Sequence, residues 1–207
     1  MTFDEIVSIF NESENEIKIS RSAGSAQDVL SRMGINGDST LGQVISNAKE
    51  IYVNRYLRLC GSANIEKMNA LVKKYYPGDK VVVATDVWGG IFAIGNGDFE
   101  GHPAGIWYYA PDSLDWEETE LNYTEFIDFA AGDTVEHYYE SWLWQDCKKY
   151  FAGKLGGLIG GVNSDQAVLV YPFVWSKEFN AESAKKETVP FEDILKINAE
   201  YEKRINN

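Results

Sequence analysis

Histidine and cysteine are almost missing from this sequence. Two of each occur in 207 residues, His102, His137, Cys60 and Cys147, and none stands close to another. A zinc site needs three or four protein ligands, and no HExxH or paired-cysteine pattern supplies them, so neither a metal nor another cofactor is expected. His102 precedes a proline in a turn and His137 lies on a helix beside Tyr138, both ordinary surface or capping positions. Two distant cysteines also exclude the disulfide framework that staples small secreted domains, although one Cys60–Cys147 bridge stays open. Otherwise each reads as a small core residue, Cys60 at the end of an apolar strand and Cys147 in an aromatic helix.

Long apolar runs are missing too. Nothing approaches the roughly 18 consecutive residues that cross a bilayer. The opening stretch MTFDEIVSIF carries acids where an export leader carries lysine or arginine, so no export signal is expected. A cytoplasmic protein is the expectation that follows. No GxSxG elbow is present, and no serine or cysteine is marked as an activated nucleophile, which favours a non-catalytic role.

The third absence is local. From 81 to 147 there is no lysine and no arginine, while fourteen aspartates and glutamates fall in that stretch. It carries a formal charge of −14, the rest of the chain sums to +1, and the whole is −13. Fourteen of the 28 aromatic residues lie there as well. A pI near 4.6 argues against nucleic acid and anionic membrane as partners, because both select basic surfaces. Such an asymmetry serves either solubility or the docking of a basic protein.

What is present suffices for a core. Hydrophobic residues make up 44% of the chain and aromatics 14%, too rich for disorder. At this length one domain, 1–207, is the expectation. A capping-box pair, Thr2 and Glu5, begins a helix over 2–10, with Phe3, Ile6, Val7 and Phe10 on one face. Further helices are predicted over 25–33, stopped by Gly34, and over 41–48. Another spans 64–76, capped by Asn64 and stopped by Pro77-Gly78. An imperfect alternation over 51–61 reads as one strand. Strands follow at 81–86 and 91–94, with Asn96-Gly97 as a two-residue type I′ turn, and at 105–110 and 116–120. A helix over 123–131 ends at Gly132, and another restarts at Asp133 and runs with a break to about 151. A late strand at 166–171 stops at Pro172, 177–186 reads as a polar loop, and Pro190 starts a final helix to about 204. The expected class is α+β, a central mostly antiparallel sheet flanked by N- and C-terminal helices.

Two stretches invite a chemical reading. The tract GKLGGLIGG at 153–161 has the glycines of a phosphate loop. It follows a helix and precedes a strand, the reverse of what such a loop requires, so a flexible connector is expected. The acids Asp112, Asp115, Glu117 and Glu118 are the candidate partner-binding residues. They cluster at a strand end where they could dock a basic partner. They could instead supply the paired carboxylates of a carbohydrate-active enzyme, or with nearby rings a sugar-binding surface, provided two face each other across a cleft. The six tryptophans read as core and sheet-face residues.

Several segments resemble a known bacterial family, the domain of unknown function 2625. They are YLRLCGS at 56–62, ATDVWGGIFAIGNG at 84–97 and WYYAPDSLDW at 107–116. YTEF at 123–126, YYESWLW at 138–144, SDQ at 164–166, YP at 171–172 and VP at 189–190 follow in order. The resemblance runs from about Thr40 to the C-terminus and departs from the family pattern at 153–161. It implies a fold and assigns no catalytic residue. The GG-x-F-A pattern and the acidic YYAPD strand are in turn similar to the SUKH superfamily of intracellular immunity proteins. That likeness implies a domain that neutralises a toxin by binding it.

Overall fold

The computed structural model describes residues 1–205 apart from 23, 25, 101–103 and 154–164. His102 and most of the glycine tract therefore lie outside the described residues. The chain is α+β. It begins with α1 (Phe3–Glu12), β1 (Ile17–Arg21), α2 (Gln27–Met33), α3 (Thr40–Asn47), β2 (Ala48–Val53), β3 (Leu57–Cys60) and α4 (Ile65–Tyr75). Four strands follow, β4 (Val81–Asp86), β5 (Ile91–Ile94), β6 (Ile106–Ala110) and β7 (Asp115–Glu118). Then come α5 (Tyr123–Ala131), α6 (Thr134–Tyr139), a 3-10 turn (Glu140–Trp142) and α7 (Cys147–Gly153). The chain closes with β8 (Gln166–Tyr171), β9 (Lys185–Pro190) and α8 (Phe191–Ile205).

Strands β1 to β7 form one antiparallel meander in sequence order, and β8 and β9 pair separately. Side chains alternate across a strand, so neighbours on β6 define the two faces. Tyr108 and its cross-strand partner Phe92 lie with Phe126 of α5 on one face, where α1, α3, α5 and α6 pack. Tyr109 points the other way, onto Tyr76 and Glu202, the side of α4 and α8. Buried side chains from both layers join one hydrophobic cluster.

Local signals explain several elements. Thr2 and Glu5 close the expected capping box on α1, and Asn122 and Glu125 close a second on α5. Gly34 ends α2 in the left-handed conformation at φ 66°, which costs glycine nothing. Asn64 precedes α4 but caps nothing: its Oδ1 accepts from Gly61 N–H instead.

The structure corrects the expected strands in four places. The stretch 51–61 is a hairpin of β2 and β3, with Asn54 at φ 48° and Arg55 at φ 67° in its turn. Side-chain bonds fix that turn: Asn54 Oδ1 accepts from Glu16 N–H at 2.9 Å, and its amide donates to Asn15 Oδ1 at 2.7 Å. Asn96 and Gly97 do not make a type I′ turn. Only Gly97 has a positive φ, and both sit in the connection from β5 to β6. β1 shows the period-two pattern Ile17, Ile19 but is too short to stand out. β9 lies partly in the stretch read as a polar loop, because pairing with β8 holds it rather than an apolar sequence.

Candidate functional site

The four acids singled out in the sequence gather at one end of the sheet. β7 is the last strand of the meander and, among the described residues, pairs only with β6. Asp112 sits in the turn before it, and Asp115, Glu117 and Glu118 lie on it; all four are exposed. The turn is held open by Leu114, whose side chain is buried although its φ is 56°. That anchor turns Asp112 and Ser113 outward. Asp115 Oδ1 accepts from Trp116 N–H, and Glu117 Oε1 accepts from Ser113 Oγ at 2.8 Å. Among the described residues no ion pair engages Asp112, Asp115 or Glu117.

Alternation divides the group. Asp115 and Glu117 share the face of Tyr108, while Glu118 shares the opposite face with Trp116. Glu118 instead borders a cavity of about 400 Å³ that Glu120 and Glu125 also line. Glu125 is already spent on the α5 cap.

A residue not singled out as a site residue joins Asp112 and Glu117. Tyr138 of α6 is 45% exposed, and its ring packs against Tyr108 at 5.6 Å and Phe129 at 5.7 Å. Partial burial raises its hydroxyl pKa, and the charges of Asp86, Glu117 and Asp112 raise it further. An exposed ring beside unpaired carboxylates is a receptor for a guanidinium, which takes a π-face and a carboxylate together. Sequence alone gave no sign, because Tyr138 is one of two adjacent tyrosines and only the fold turns it outward.

The other acids of the 81–147 stretch are not one solvated face. Asp98 accepts from Asp79 and Lys80 N–H at 2.9 and 2.8 Å and pairs with Lys80 Nζ at 3.0 Å. Its carboxyl is shielded, which alone would raise its pKa, but the backbone donors and the ammonium hold it below the ordinary value. Glu136 pairs with Lys148 and Asp146 with Lys149.

Asp86 is completely buried. Its Oδ1 accepts from Trp88 and Gly90 N–H at 2.8 and 2.9 Å; its Oδ2 accepts from Tyr108 Oη at 2.7 Å and Tyr139 Oη at 3.1 Å. Burial raises its carboxyl pKa, and the four donors oppose that shift. On the other side of β4, buried Arg58 donates to the Asp86 carbonyl at 3.1 Å. These groups are sealed in the core, so the cluster organises the β4–β5 hairpin and presents no face to a ligand.

Cys60 and Cys147 are both buried and both free thiols, which settles the bridge left open by the sequence. His137 caps its own helix, with Nδ1 at 3.2 Å from Asp133 O. No cluster of three or more His, Cys, Asp or Glu able to hold a metal occurs among the described residues. No helix there is long and apolar enough to cross a membrane.

The comparisons with known proteins agree with this layout at the level of family. A family model described as protein of unknown function DUF2625 matches residues 1–194. The chain belongs to that family. The DUF2625 match begins at the first residue, so α1 and β1 belong to the shared unit and the resemblance is not confined to the part after Thr40. It stops within α8. One relative, the uncharacterized protein YbfG of Escherichia coli strain K12, is 25% identical over 166 residues, covering 77% of this chain and 73% of its own. Another, an uncharacterized protein of Haemophilus influenzae strain Rd, is 26% identical over 166 residues, covering 73% of each. No solved structure matches this DUF2625 chain.

Proposed function

We propose that this DUF2625 protein is a non-catalytic binding domain that receives a basic protein partner on the β7 edge, in the manner of an immunity protein. One observation carries the reading: Asp112, Asp115 and Glu117 have no ion pair among the described residues, and Asp112 and Glu117 stand close to the exposed ring of Tyr138. A cationic side chain of the partner, arginine above all, completes both. The lysine-free stretch extends the negative field well beyond the four acids, and a field of that kind steers encounter more than it tightens the complex. The likeness to SUKH domains points in the same direction.

The test begins with retention of a basic protein from the source lysate at low salt and its identification. Association kinetics follow, with the variant Asp112→Asn, Asp115→Asn, Glu117→Gln, Glu118→Gln. The association rate is expected to fall about tenfold at low ionic strength and to approach the native rate at high salt. Thermal stability should stay within about 1 kcal/mol of native or rise, since exposed carboxylates contribute little and their repulsion is relieved. A variant that associates at the native rate at low salt would remove the β7 edge from the interface.

A further inference from the structure

On the opposite face of β7, away from Asp115 and Glu117, a cavity of about 290 Å³ opens between the end of α4, the C-terminal turns of α8 and Trp116. Tyr76, Trp116 and Glu202 supply its chemistry.

Tyr76 is 7% exposed, with its ring packed on Tyr109 at 4.5 Å, yet its buried hydroxyl has no hydrogen-bond partner. It lies beside the Tyr109 hydroxyl without hydrogen-bond geometry. Tyr109 Oη is occupied elsewhere, donating to Glu202 Oε2 at 3.3 Å. Buried hydroxyls are almost always satisfied, so an orphan at the wall of a cavity marks a position that a ligand can fill. Glu202 is half-buried, and its carboxyl stands above its ordinary pKa. Burial is the main cause, Asp115 adds to it, and the Tyr109 hydrogen bond and Lys203 oppose it. Its second oxygen is open to a donor.

The remaining polar groups on the wall are already used. Lys80 Nζ pairs with Asp98 and donates to Pro77 O at 3.0 Å while lying over the Trp116 ring at 5.5 Å. Tyr75 Oη donates to Glu192 at 2.9 Å. A ligand anion would face Glu202. A ligand cation would face the ammonium groups of Lys80 and Lys203 on the same wall. A neutral molecule avoids both. It must carry hydroxyls to meet a phenol and a carboxylate, and an apolar face to lie against an indole. A pyranose ring has this chemistry, and the volume sits at the small end of ligand cavities.

We propose that this cavity binds one neutral pyranose unit, with Tyr76 Oη and Glu202 on its hydroxyls and Trp116 on its C–H face. The cavity is lined by a single carboxylate, so it is a binding site and no hydrolytic step is assigned to it. The inference stands apart from the β7-edge reading, because it uses the other face of the sheet.

The test is titration of the intact chain with methyl α-glucoside, methyl α-galactoside, methyl α-mannoside and N-acetylglucosamine. Saturation-transfer NMR and calorimetry report binding, with tetramethylammonium and glycerol as comparison probes. At least one sugar should bind saturably in the millimolar range, glycerol and tetramethylammonium should not, and Tyr76→Phe should weaken the sugar about tenfold. Because the lost oxygen has no internal partner, Tyr76→Phe should melt at or above the native temperature, which separates a ligand-binding hydroxyl from a structural one. The proposal is overturned if no sugar binds at tens of millimolar, if tetramethylammonium binds instead, or if Tyr76→Phe binds the sugar as tightly as the native chain. A lower melting temperature for Tyr76→Phe overturns it too.

Discussion

Tyr108 donates its hydroxyl to Asp86 Oδ2 across 2.7 Å, joining β6 to the end of β4 over the intervening β5. Tyr139 reaches the same oxygen from α6, so one carboxylate ties a helix, a strand and the tip of a hairpin together. Around it the rings of Tyr56, Trp88 and Tyr139 pack at 4.9 to 5.7 Å. The cluster is the polar centre of an otherwise apolar core.

Asp86→Ala should therefore lose about 3 kcal/mol or more, because it leaves two N–H groups and two hydroxyls buried without an acceptor. Asp86→Asn keeps an acceptor for the hairpin and should lose less. The two also differ from native in pH dependence. The Asp86 pKa is raised on folding, so its contribution is full below the unfolded value of about 3.9 and declines as pH rises toward the folded value. Urea denaturation of native and Asp86→Asn protein should show the difference moving in favour of the variant as pH rises. A difference independent of pH would show that Asp86 ionises in the folded state as easily as in the unfolded.

Gly90→Ala should be severely destabilising, by roughly 2–4 kcal/mol. A Cβ there would lie 2.0 Å from Asp86 Oδ2 and 2.4 Å from Tyr108 Oη, so the hydrogen bond that bridges β5 would have to open. Chemical denaturation measures the loss. A variant within 0.5 kcal/mol of native, on the order of an ordinary surface change, would show that this hairpin tip is free to move.

Asn54→Ala should cost about 2–3 kcal/mol. It removes the acceptor for Glu16 N–H and the donor to Asn15 and Tyr56, and it places alanine at φ 48°. Asn54→Gly loses the same bonds but accepts the backbone conformation, so it should be more stable than Asn54→Ala by about 1 kcal/mol. Equal melting temperatures for the two would show that backbone strain plays no part in this turn.

Neither cysteine should react with Ellman's reagent in the folded protein, and both should react in denaturant. Cys60 is fully buried and its thiol is pushed up to about 12, while burial also raises Cys147. Only a thiolate attacks the reagent. Rapid titration of one thiol per chain under native conditions would contradict the burial of that residue.

Much of this fold was legible in the chain. The capping pair Thr2 and Glu5, Gly34 after α2, the valines of β4 and the aromatic run of β6 are signals carried by neighbouring residues. They act through local backbone geometry and periodicity, and so they survive without tertiary context. The acidic, lysine-free stretch is equally a property of the sequence, and it placed Asp112, Asp115, Glu117 and Glu118 in view before any coordinates.

Tertiary structure decided what those signals meant. Asp86 counted as one more acid until the packing of Tyr108 and Tyr139 enclosed it, since burial depends on residues distant in sequence. The turn at Asn54 and Arg55 has no glycine to announce it; contacts from Asn15 and Glu16 hold its positive φ angles. β9 exists because β8 pairs with it, not because its sequence prefers to be a strand. Tyr138 and Tyr76 look alike in the sequence. Only the arrangement of helices on the two faces of the sheet leaves one ring in solvent beside carboxylates and the other with a buried hydroxyl facing a cavity. Composition and local periodicity set which elements form. The direction each side chain faces comes from long-range packing, which no short window of sequence contains.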